Sequence, residues 1–98
     1  MNPRVSMDEE RQLLATVEMF KTLTKSQPFD YQSLEILAEA CKKLGKVEEE
    51  LYALKGLVAA FEGLKRISEA VDECAAALER FPDDHELKAT IERLVAQE

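Results

Sequence analysis

Few side chains in this 98-residue chain could do chemistry. There is one histidine, His85, in the run Pro82-Asp83-Asp84-His85-Glu86, and there are two cysteines, Cys41 and Cys74. Aspartate and histidine together can ligate a metal ion, and cysteines can ligate zinc or act as a redox pair. A run of acids, Glu48-Glu49-Glu50, could attract a cation or a basic partner. Each has a simpler reading. Acids around His85 and at 48–50 suit the first turn of a helix, where the backbone dipole favours negative charge. The two cysteines fall on apolar stripes, where a free cysteine serves as a small hydrophobe, and their spacing fits no zinc pattern. The chain has no Gly-rich phosphate loop, no Gly-x-Ser-x-Gly and no His-Glu-x-x-His. We therefore expect no catalytic residues, no metal and no cofactor.

These residues are positioned by helices. Leu, Ala, Glu and Lys dominate, β-branched residues never cluster, and three Gly with three Pro leave little punctuation for a sheet. A hydrophobic share of 46% against 34% charged residues is the balance of a folded domain. Ser6-Met7-Asp8-Glu9 reads as a capping box opening a helix to about Lys25, with Leu13, Val17, Phe20 and Leu23 inward and Pro28 closing it. Asp30 caps a second helix, on which Leu34, Leu37, Ala38, Cys41 and Leu44 share a face and Gly45 takes the left-handed C-terminal position. A third, Lys46 to Gly63, has Val47, Leu51, Leu54, Val58 and Phe61 at helical spacing, broadened by Leu57. Gly56 inside it marks a close approach between helices. A fourth, Arg66 to Arg80, turns Ile67, Ala70, Val71, Cys74, Ala77 and Leu78 inward. Pro82 stops it, and Asp83 with Glu86 forms a second capping box for a last helix carrying Leu87, Ile91 and Leu94. The expected fold is all-α: about five antiparallel helices in one domain, 6–98, after an extension at 1–5.

Residues Leu54 to Pro82 resemble the tetratricopeptide repeat, a helix–turn–helix unit of about 34 residues with the pattern W-x2-L-G-x2-Y-x8-A-x3-F-x2-A-x4-P. Leu54, Leu57, Val58 and Phe61 stand at the first-helix positions. Ala70, Cys74, Ala77 and Pro82 stand at those of the second helix and its end. A partial match lies earlier: Leu34, Leu37, Ala38 and Cys41 resemble a first helix, and Leu44-Gly45-Lys46-Val47 resembles the turn after it. The two best turns, around Gly45 and Lys65, are about 20 residues apart, a departure from the regular period. The chain is therefore expected as either an irregular array of hairpins or a compact bundle.

The resemblance implies a protein–protein interaction module, an adaptor or scaffold, with a peptide partner in a groove lined by first helices. The groove residues it implies are Glu35, Glu39, Tyr52, Lys55, Ala59 and Glu62. Chaperone-binding members of the family clamp a peptide carboxylate with Lys and Asn. Here Glu35 and Glu39 occupy those positions in one hairpin, and Lys55 with Ala59 in the other, which argues against a chaperone-tail receptor.

Charge narrows the partner. A formal net charge of −7 disfavours nucleic acid, which needs a basic stripe. The longest apolar run, Gly56 to Phe61, cannot span a bilayer, and residues 1–12 show no signal-peptide core. The expectation is a cytoplasmic module of a longer chain, without membrane insertion. The alternative function is homodimerisation through Leu87, Ile91 and Leu94. A metal or catalytic protein centred on His85 and the cysteines is the disfavoured third reading.

Overall fold

In a computed structural model, residues 6–98 are described; the extension expected at 1–5 lies outside them. They form five helices and no strand: α1 (Met7–Ser26), α2 (Tyr31–Leu44), α3 (Val47–Gly63), α4 (Ile67–Arg80) and α5 (His85–Val95). Turns of two to four residues reverse the chain between helices, so consecutive helices pack as antiparallel hairpins. Each helix packs chiefly on its neighbours in sequence. The molecule is elongated, 45 × 28 × 16 Å. This is an open array rather than a closed bundle, in which the first helix would meet the last two.

Local chemistry sets the helix ends. The Ser6 hydroxyl accepts from the Glu9 amide at 3.1 Å, and Asp30 accepts from the Ser33 amide at 3.1 Å, each satisfying a donor that the helix leaves unpaired. The α4–α5 junction corrects the expected cap. Asp84, not Asp83, accepts from the Leu87 amide at 2.9 Å. The Asp84 amide is drawn back to the Phe81 carbonyl, so the helix begins at His85 and Leu87 lands in the core. Two helices end alike. After α2, Gly45 is left-handed at φ 73° and the Lys46 amide reaches the Cys41 carbonyl. After α3, Lys65 takes the same conformation at φ 65°, and the Arg66 amide reaches the Phe61 carbonyl. Glycine adopts this geometry without strain, whereas lysine is strained in it.

The core falls into two stacked clusters. Val17, Leu37, Ala38, Ala40, Cys41 and Ala53 join α1, α2 and α3. A larger cluster of α3, α4 and α5, joined by Leu34 of α2, is built on Leu57, Phe61, Ala70, Cys74, Leu87 and Leu94. Leu54 packs against both. Ala53, Ala60, Ala70 and Cys74 are fully buried, and their small size lets neighbouring helices approach. Gly56 serves the close approach expected of it: a Cβ there would sit 3.2 Å from the Leu34 side chain. Where α3 turns into α4, the Arg66 guanidinium lies over the rings of Tyr31 and Phe61, at 4.8 and 5.2 Å. Its two bonds to Glu69, each 2.6 Å, hold it there.

Candidate functional site

The array leaves a concavity on each side of α3. On the first side a groove of about 620 Å³ runs across α1, α3 and α5. Its floor is Leu34, Leu37 and Gly56, and Tyr52 stands on its rim, 75% exposed. At one end, Thr24, Lys25 and Pro28 come from the close of α1. At the other, Lys55 bridges α3 to the start of α5, with its Nζ 3.1 Å from Asp84 and 3.2 Å from Glu86. Burial pulls the Lys55 pKa down, but bonds to the two carboxylates outweigh that and hold it above the usual lysine value. The capping amide of Leu87, with help from Lys55, keeps Asp84 below the usual carboxylate range. The lysine is therefore a charged strut closing one end of the groove.

On the second side a groove of about 800 Å³ lies between α2 and α4, with α3 beneath. Under its floor, Glu50 of α3 is 2% exposed, and Arg80 of α4 grips it with two bonds of 2.6 and 2.7 Å. The bond to Glu50 holds the arginine above its ordinary pKa. The acidic run is thus not one solvated first turn, as the sequence suggests. Glu48 is exposed, Glu49 pairs with Lys21 at 3.4 Å and Lys46 at 3.7 Å, and Glu50 is a buried pin between α3 and α4.

The six groove residues expected from the resemblance do not share one concavity. Tyr52 and Lys55 line the α1–α3–α5 groove, whereas Glu35 and Glu39 line the opposite one. Ala59 and Glu62, with Lys55 again, line a third, smaller hollow of about 210 Å³ between α3 and α5. There Glu62 is bonded to Arg93, which holds its carboxyl below the usual range. The separation of Glu35 and Glu39 from the other four follows from alternation: consecutive helices lie in opposite layers, so the outer faces of α2 and α3 look away from each other.

Leu87, Ile91 and Leu94 are corrected as an association face. Leu87 is 1% exposed and Leu94 0%, and Ile91 packs half-buried against the same cluster. They dock α5 onto α3 and α4 within the chain. Cys41 and Cys74 are free and fully buried, one in each core cluster. Burial pushes both thiols above the ordinary value, and the Cys74 Sγ lies 3.4 Å from the Leu87 carbonyl. His85 is exposed at the start of α5. Among the described residues no three His, Cys, Asp or Glu side chains gather as metal ligands, and no helix is long and apolar enough to cross a membrane.

Sequence reasoning missed Lys25, Ile36, Glu73 and Glu86, all of which line one or other groove. Ile36 carried a readable signal: it is a large apolar residue off the inward stripe of α2. When the chain is compared with known proteins, no family model, no curated protein and no solved structure matches it.

Proposed function

We propose that the chain is a protein-interaction module of tetratricopeptide-like design, and that it takes a peptide segment of a partner protein in the α1–α3–α5 groove. The observation that carries this reading is the exposed Tyr52 over an apolar floor of Leu34, Leu37 and Gly56. An aromatic ring held outside the core beside a shallow apolar trough is the usual anchor of a peptide site. The mixed charges around the trough, Lys25, Glu48, Lys55 and Glu86, suit orienting a peptide more than binding a single charged ligand. Sequential packing of hairpins into an elongated array also supports the likeness, because such arrays present extended surfaces.

The test is selection of peptides from a displayed random library, followed by affinity measurement on the purified chain and two exposed-site variants. Tyr52→Ala and Lys25→Ser should each weaken the selected peptides by about tenfold, the effect of losing an interface anchor worth more than 1 kcal/mol. Peptides that bind both variants as tightly as the parent chain would overturn the assignment of this groove.

A further inference from the structure

The groove between α2 and α4 has a character of its own. Its floor is apolar, made by Ala38, Leu54, Leu57 and Ala77. Ile36 stands on its wall, 45% exposed, although Leu34, Leu37, Ala38 and Cys41 already supply the buried face of α2. Two carboxylates flank it on each side: Glu35 and Glu39 from α2, Glu73 and Glu79 from α4. Of its two cations, Arg80 is held by Glu50, which leaves Lys42 beside four carboxylates. These acids do not gather into a chelate, since no metal-ligand cluster forms among the described residues. They run as two rails along an apolar trough. Burial, then repulsion from Glu35 and Asp72, lifts the Glu73 carboxyl above its ordinary range, so the two rails repel each other across the trough.

We propose that this groove docks an amphipathic helix of a partner protein, with apolar residues against Ile36 and the floor and Lys or Arg along both flanks. The reasoning is charge complementarity. A basic helix relieves the repulsion among the rails and covers the isoleucine, in the common helix-in-groove manner. A second copy of this chain is a poor occupant, because each copy carries a formal net charge of −7. The site is separate from the Tyr52 groove and does not depend on the reading given to it.

The test uses a designed helical peptide of about 18 residues, five turns, with leucines on one face and lysines on the flanks. Two controls have the same length: one with glutamates for lysines, and one of unchanged charge with serines for leucines. Binding is followed by amide shifts of the isotope-labelled chain at near-physiological salt. The leucine–lysine peptide should bind saturably and shift Ile36, Glu39, Glu73 and Ala76, leaving Tyr52 unmoved. Glu35→Gln combined with Glu39→Gln should weaken it about tenfold, and Ile36→Ser by a similar factor. All three positions are exposed, so the variants keep the fold. The proposal is overturned if the serine peptide binds as tightly, since charge alone would then suffice. It is overturned equally if the shifts centre on Tyr52 and Thr24, an outcome that would favour the other groove, or if the glutamine variant binds unchanged.

Discussion

Removing Arg80 should destabilise the chain although the residue lies near the surface. Its partner Glu50 has a side chain only 3% exposed, and Arg80 supplies its two short bonds. Arg80→Ala leaves a carboxylate buried between α3 and α4 without its counter-charge. Breaking a buried pair from one side costs about 3–5 kcal/mol. Arg80 itself is 45% exposed, so water enters where the guanidinium was and recovers part of that loss. We expect a net cost of about 2 kcal/mol, within the range for losing a bond to a charged group. For a domain of this size that lowers the melting temperature by about 8–16 °C. Urea unfolding of the parent chain, Arg80→Ala, Glu50→Leu and the double variant provides the assay. The double variant should be less destabilised than the sum of the singles by about 1–2 kcal/mol, because it removes both charges together. An Arg80→Ala cost below about 0.5 kcal/mol, with no coupling in the cycle, would place the pair among ordinary surface ion pairs and refute the pin.

Other consequences follow from the same structure. Lys65→Gly relieves a left-handed lysine and should stabilise the chain by about 0.5–1 kcal/mol after the added freedom of the unfolded glycine; thermal unfolding reads it directly. Leu94→Ala should cost about 2–5 kcal/mol in urea unfolding while leaving the light-scattering mass unchanged; a folded dimer converted to an equally stable monomer would contradict the inward packing. Acid should weaken the fold through Asp30, Asp84 and Glu62. Bonds from Ser33, the Leu87 amide and Arg93 hold these three below their ordinary values of 3.8, 3.8 and 4.5. Folding disfavours their protonation, so their contribution is complete above those values and lost as pH falls through the lowered folded ones. Glu73 runs the other way: its folded pKa is raised from 4.5, so its charge opposes folding at neutral pH and the penalty disappears in acid. Glu73→Gln should therefore raise the urea midpoint at pH 7 and leave it unchanged at pH 3, as a pH series of urea titrations will show.

The helices were legible because a 3.6-residue apolar period, a few capping side chains and two prolines act locally. Val17, Leu37, Leu57, Cys74 and Leu94 could all be assigned to the inward side without knowing what they touch. Gly45 and Asp30 announced their turns for the same reason. Asp84 was misread by one residue, because Asp83 and Asp84 are chemically equal caps and only the placement of Leu87 in the core distinguishes them.

What covers an apolar face is a different matter, and here the tertiary structure decided. Leu87, Ile91 and Leu94 look alike in sequence whether they meet a second chain or their own α4. Ala70, Cys74 and Ala77 are small enough to admit α5, and that closeness buries the leucines within the chain. Glu48, Glu49 and Glu50 are identical side chains in one turn. Rotation of about 100° per residue sends one to water, one to two lysines and one beneath Arg80. The sites divided for the same geometric reason. Periodicity tells which side of each helix is outward, but the alternation of layers in the array determines which outward sides share a groove. It placed Tyr52 with Lys25, and Glu35 with Glu73, on opposite faces of the molecule.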